Sequence, residues 1–513
     1  MLVSPKAPPL TTDGWINALA PPRGDLSGVV SVLVFWSSTC EASLTRLAEI
    51  EQLMNHTIAG HRGHLRAIAV LSPRYPFEQA TDYARDAVAQ HRISLPVVHD
   101  RALQIWSRYN PGGWPAAIVI DHRHRAVGAL LGLDDLDALI EATEVAVLRS
   151  SAASRRRSHG PAASADDMFS ERLGAGSGQT DEAFAWPCGL AALPDDRIAV
   201  ADSGNGRVLV LELFRHRLHY RIEASFDSID RPARVTARGS QGIAVSLPEQ
   251  GQVIALDRKG AETHVLADDL GRPQGLTQDR DGSIVVCDAV DEQLVRILPD
   301  GSLGVLAGTG FTGTLDGPAH RAELAQPVGI TRTDRGLAFV DAASNNLRLL
   351  TDTGQVLSVT HNTFERYGLI DGPAHRAVLQ RPTGLVARPD GTLLVADTGN
   401  SRIRVVARRS IRTLQLAGLR HPEDVTVLSD GTVVVANTGN HRLVPMPGRP
   451  GCSRLPERPS VRERLDDRRD LGQLRSPDNR FGRRDQHELG EPDVDEPLQG
   501  RRQILFGRQD ILG

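Results

Sequence analysis

Apolar and polar positions divide this chain into two regimes. Up to about residue 149, apolar runs alternate with helical periodicity. VVSVLVFW, ending at Trp36, is a continuous apolar run, the pattern of a strand buried on both faces of a parallel sheet. From Cys40 to about His56, Leu44, Leu47, Ile50 and Leu53 recur at helical spacing. LRAIAVLS predicts a second buried strand, and Phe77 to about Gln90 a helix. AAIVID and AVGALLG are close enough to pair as a hairpin, and Asp134 to about Leu148 predicts a last helix. The order β-α-β-α-β-β-α predicts an α/β sandwich.

Residues 150 to 167, with the stretch SAASRRRSHGPAASADD, are too small and polar to build a core and predict a linker. From 168 to 446 helical periodicity vanishes. Short alternating strands separated by Asp-Gly turns replace it. A Pro-x-Gly start recurs at Pro187, Pro273, Pro327 and Pro382, with degenerate starts at Pro232 and Pro422. The starts lie roughly 40 to 55 residues apart, the length of a propeller blade, and predict six blades. Most units carry a strand ending in an acidic or amide motif: VADSGNGRV, VCDAVDEQL, FVDAASNNL, VADTGNSRI, VANTGNHRL. Asp202, Asp341 and Asp397 are expected to accept hydrogen bonds from backbone amides of the turn that follows, with Gly204, Gly399 and Gly439 at positive φ. Val208, Leu294, Leu347, Ile403 and Leu443 are expected to restart the next strand on the buried face. SERLGAG, 170 to 176, is expected to pair into the last blade and close the ring. Residues 447 to 513 turn Arg-, Asp- and Pro-rich without a period and predict a disordered tail.

Composition narrows the function. A net charge of -4 over 513 residues gives no bulk attraction to nucleic acid or anionic membrane. The run Arg155-Arg156-Arg157 lacks interleaved aromatics and reads as a solvated linker. No apolar stretch reaches about 18 residues, so no membrane span is expected. Cys40, Cys188, Cys287 and Cys452 form no paired framework and no zinc-like cluster, which points to a reducing, cytoplasmic setting. His320 and His375 share the repeated loop DGPAHRA, but no second His at ligand spacing accompanies either, so neither metal nor cofactor is expected.

One stretch carries chemistry. In FWSSTCEAS, Cys40 follows a strand and opens a helix, whose N-terminus favours a thiolate. Three residues on, where a resolving cysteine would make a Cys-x-x-Cys, stands Ser43. Such a site can attack a disulfide but cannot release the mixed product without an outside thiol. Cys188 and Cys287 sit inside blade motifs and read as small core residues.

Taken together, the motifs resemble the two-domain thioredoxin-like/NHL-repeat family. The resemblance rests on WIN ahead of Asp25-Leu26-Ser27-Gly28, on FW leading to Cys40, and on LPVVHD and WPAAIVID. In the second half it rests on LAGTGFTGTLDGPAHRAELAQPVGI. It runs from about Ala7 to Val444. It implies a thioredoxin-like α/β sandwich over 1–149, a six-bladed NHL propeller over 168–446, and a cis Pro115 after Trp114 beside Cys40. The departures are Ser43 and Val34, the latter standing where thioredoxins bury an acid. Three readings follow. One is a redox adapter: a thiol-disulfide oxidoreductase lacking its resolving cysteine. Cys40, Ser43 and Pro115 would form its site, Trp36 and Trp114 would contact the partner, an external thiol would act as reductant, and a protein would sit on a propeller face. The second, nearly equal, is a non-catalytic interaction scaffold. A propeller enzyme using the central channel is the third.

Overall fold

The computed structural model describes residues 6–10, 14–17, 26–61, 65–132, 136–155, 184–214, 219–240, 242–257, 263–298 and 301–446. All belong to one compact unit, Met1–Ser453.

The N-terminal part is a five-stranded mixed sheet. Its strands are β1 (Val30–Trp36), β2 (Leu65–Leu71), β3 (Val97–His99), β4 (Ala116–Ile120) and β5 (Ala126–Leu131), in the order β3-β2-β1-β4-β5. β1 runs parallel to β2, and β2 to β3, whereas β4 is antiparallel to both β1 and β5. β1 is buried along its whole length. Val30, Val32, Val34 and Trp36 join Leu44, Leu47 and Ile50 of helix α1 (Glu41–His61) on one face. Leu33 and Phe35 pack with Ile68, Ile105 and Ile118 on the other. Cover on both faces is why the run shows no polar alternation. Helix α2 spans Thr81–Gln90 and α3 spans Gln104–Tyr109. Helix α4 spans Leu136–Arg155, so the first residues expected in the linker are helical, with Ser150 buried.

Six β-sheets follow, one per expected blade. Their inner strands begin at Pro187, Arg234, Pro273, Pro327, Pro382 and Asp424. The ring closes between the sixth sheet and the first. There the Leu190 amide donates to Asp424 Oδ2 at 2.9 Å and the Ala192 amide to Thr426 Oγ1 at 3.0 Å. Leu190, Ile198 and Val200 of the first sheet share a core with Val434 and Ala436 of the last. The expected closing strand at 170 to 176 lies outside the described residues.

The repeat motif works differently from the expectation. The amides held by Asp202 and Asp397 come from the loop entering the same blade: Ala185 to Asp202 Oδ1 (2.8 Å) and Gln380 to Asp397 Oδ1 (2.7 Å). Pairing of the first two strands places the Asp beside the entry loop, and the turn that follows contributes a side chain instead of an amide: Asn205 Nδ2 donates to Asp202 Oδ2 and Asn400 Nδ2 to Asp397 Oδ2, each at 2.8 Å. Positive φ falls at Gly206, Ser401 and His441. Gly399 is needed for room, because a Cβ there would lie 2.8 Å from Gln380 O and 2.9 Å from Phe77 Cε1. Val208, Leu294, Leu347 and Ile403 are fully buried, and Leu443 is partly so.

DGPAHRA has a structural role in both copies. Arg348 is fully buried and binds Asp341 and Asp316 at 2.8 Å each; Arg404 binds Asp397 at 2.6 Å and Asp371 at 2.8 Å. The Asp of each motif, Asp316 or Asp371, thereby staples its loop to the third strand of its blade.

Candidate functional site

A turn after β1 carries Cys40, whose amide donates to Ser37 O at 3.1 Å. The Leu44 amide then donates to Cys40 O, and α1 begins. Cys40 is half-buried, with Sγ 3.9 Å from Trp114 O. The Trp114–Pro115 peptide is cis, and Trp114 stacks on Trp106 with ring centres 4.3 Å apart. Cys40, Pro115 and Trp114 are therefore neighbours.

The helix N-terminus predicted an acidic thiol. Burial instead pushes the Cys40 thiol up, while hydrogen bonding to Ser43 and the nearby Arg74 charge pull it down less strongly. Loss of solvent outweighs a half-charge at a helix end. Ser43 is fully buried, with its Oγ 3.4 Å from the Ser37 amide. Trp36 does not fit the partner-contact role: it is fully buried in the core, because its place on β1 points it at α1.

The most connected residue at the site is one the sequence reading missed. Glu78, fully buried, accepts from Ser37 Oγ (2.9 Å), Ser38 Oγ (2.8 Å) and the amides of Arg74 (2.7 Å) and Tyr75 (3.0 Å). It fixes the loop ahead of Cys40. The available signal was local: Glu78 is the third residue of a short 3-10 helix, Pro76–Gln79, the place from which a carboxylate reaches back to the amide of the preceding Tyr75.

A second group comes from the propeller. The residue before each blade-start proline sits at the rim of the ring: Trp186, Arg231, Arg272, Gln326, Arg381 and His421. All but Arg272 have positive φ. Arg272 Nε donates to Glu41 Oε2 at 2.5 Å, and Gln274 Nε2 to the same oxygen at 3.1 Å. Arg381 lies 3.8 Å from Glu41 Oε1, and Gln326 Nε2 donates to Thr39 O at 3.2 Å. His421 packs on Phe77 and Tyr83 at 5.4 and 4.7 Å. A cavity of about 80 Å³ remains at this rim, bordered by Glu41, His91, Cys188, Arg234 and Arg272 among others.

The central channel, about 190 Å³, is walled by Leu190, Val235, Leu276, Ile330, Leu385 and Val425, one from each blade. At its waist, blade starts have Gly where inner strands converge; the two degenerate starts have Arg234 and Asp424. Burial raises Asp424 to about 6 against the pull of Arg234, and both side chains are buried. The lining of this channel holds one carboxylate, Asp424, and no histidine. Among the described residues no group of three or more His, Cys, Asp or Glu could hold a metal, and no helix is long and apolar enough to cross a membrane. Cys188 and Cys287 are free and buried, while Cys452 lies outside the described residues.

The chain carries NHL repeats, matched at residues 184–211, 379–406 and 419–444. It is 23% identical over 461 residues to Protein SUPPRESSOR OF QUENCHING 1, chloroplastic, of Arabidopsis thaliana. That match covers 79% of this chain but only 41% of the relative's length. Among solved structures it resembles a streptogramin B lyase, with 18% identity, 50% of this chain, 93% of that one and a TM-score of 0.37. It also resembles a gluconolactonase of Xanthomonas campestris, with 15% identity, 52% of this chain, 86% of that one and a TM-score of 0.39. Similarity at that level says nothing about what this chain does.

Proposed function

We propose that this protein is a thiol-redox adapter: a thioredoxin-like domain over 1–149 forms transient mixed disulfides at Cys40, and a propeller over 168–446 holds a protein partner. The observation that carries the reading is Cys40 Sγ at 3.9 Å from Trp114 O, beside the cis Pro115 and at the start of α1. The Cys40 thiolate attacks one sulfur of a partner disulfide. That S–S bond breaks, a Cys40–partner S–S bond forms, and the other partner sulfur leaves as a thiolate and takes a proton. Ser43 cannot displace the partner, so an external thiol attacks the mixed disulfide. It returns Cys40 to the thiol and is itself bonded to the partner's sulfur. This cycle needs a reducing compartment, and the cytoplasm is the setting proposed.

The scaffold reading has its own support: burial raises the Cys40 thiol, which lowers the thiolate fraction at neutral pH. Oxidised glutathione separates the two. Intact-mass analysis of the full chain should find one glutathione on Cys40 that dithiothreitol removes and that Cys40→Ala lacks. If Cys40 stays unmodified at neutral pH, the scaffold reading stands instead.

A further inference from the structure

We infer that the propeller rim is the second half of the Cys40 site and latches it shut: Arg272, Gln326 and Arg381 act as positioning residues by gripping the two residues that flank the thiol. The inference rests on the redox reading above. It is carried by chain connectivity. Thr39 and Glu41 are the immediate neighbours of Cys40, and each is held from the propeller, Thr39 O by Gln326 and the Glu41 carboxylate by Arg272, Gln274 and Arg381. The Glu41 side chain is only 7% exposed and that of Arg272 only 4%. Arg272 is held in turn by Glu249 at 2.7 Å, so the grip is anchored in the ring.

The six rim positions are equivalent in the repeat but not in chemistry. Arg272 and Arg381 reach Glu41, Gln326 reaches Thr39, and His421 reaches Phe77 and Tyr83. On the sheet side, Glu78 binds Ser37 and Ser38, so the Cys40 loop is held from both directions. A loop fixed on two sides holds the sulfur back and slows its attack on a partner disulfide. Release of the Glu41 contacts frees the loop and lets water reach Cys40. The rim face is thus occupied by the protein's own N-terminal half, and a partner gains access to the thiol by displacing it.

Arg272→Met in the full chain tests this, with iodoacetamide labelling of Cys40 followed by mass spectrometry from pH 6 to 10. Two effects of the substitution have opposite sign. Losing a nearby cation by itself raises a thiol's pKa and slows labelling; unlatching rehydrates the thiol and speeds it. The latch predicts labelling at least about tenfold faster at neutral pH and a lower pH midpoint. Gln326→Ala, which removes no charge, should move both in the same direction by a smaller factor. Cys188 and Cys287 should stay unlabelled, showing that the fold is kept. Unchanged or slower labelling of Cys40 in both variants overturns the latch, as does labelling of Cys40, Cys188 and Cys287 together. Failure of the redox reading looks different: Arg272→Met would still label faster, yet neither it nor the unmodified protein would take up glutathione at Cys40.

Discussion

The buried Asp397–Arg404 pair gives a direct test of how the blades are held. Both side chains are fully buried. Arg404 donates from Nη1 to Asp397 (2.6 Å) and Val378 O (2.9 Å), and from Nη2 to Ile370 O (2.9 Å) and Asp371 (2.8 Å). Asp397 also accepts from the Gln380 amide and from Asn400. Asp397→Asn keeps an acceptor for Gln380 but turns an amide donor toward a guanidinium. Only Asp371, whose side chain is 48% exposed, is then left to balance Arg404. Removing one partner of a buried pair costs about 3–5 kcal/mol. The expected loss is in that range, read as the fall in unfolding free energy of the full chain in urea by circular dichroism. Arg404→Met added to Asp397→Asn should cost less than the sum of the two single changes, since the only charge left without its partner is the half-exposed Asp371 and no buried one remains. A loss under about 1 kcal/mol, or strict additivity, would refute the Asp397–Arg404 pair as a structural element.

Two further outcomes follow from the rim. Burial and then Arg420 lower His421 to about 4. Between pH 6.5 and about 4 the unfolded chain therefore binds a proton that the folded chain does not, and this residue's contribution is lost as pH falls through that window. His421→Phe keeps the ring against Phe77 and Tyr83, so its stability should fall less from pH 7 to 5 than that of the unmodified protein. The difference has a ceiling of about 2 kcal/mol. Equal falls in urea titrations at the two pH values would rule out His421 as a source. Asp341, Asp397 and Asp424, each raised to about 6 by burial, act in the opposite sense, with stability lost as pH rises through about 6. They are common to both proteins and cancel in the comparison. Gly399→Ala should lower the melting temperature, because the added methyl meets both the Gln380 carbonyl and the Phe77 ring. A cost of about 1–3 kcal/mol is expected, and an unchanged melting temperature would mean that the contact relaxes freely.

Local pattern alone determined much of this protein. Periodicity separated a helix-bearing first part from a strand-only second part, because helices and half-buried strands repeat at different intervals. The spacing of Pro-x-Gly starts predicted the six blades, since each unit must bury a face against the next. The chain order from FWSSTCEAS to WPAAIVID marked Cys40 and Pro115, and the Ser at position 43 is visible in the sequence itself. What tertiary structure decided is everything that depends on which distant groups meet. The fate of Trp36 turned on which side of β1 faces α1. The acidity of Cys40 turned on lost solvent, which no neighbouring letter encodes. Glu78, Glu41 and Arg272 acquire their roles through contacts across tens to hundreds of positions. The two degenerate starts, Pro232 and Pro422, become a buried Arg234 and Asp424 at a channel waist only once the ring is closed. Short-range periodicity reports which face of an element is buried; it does not report what that face is buried against.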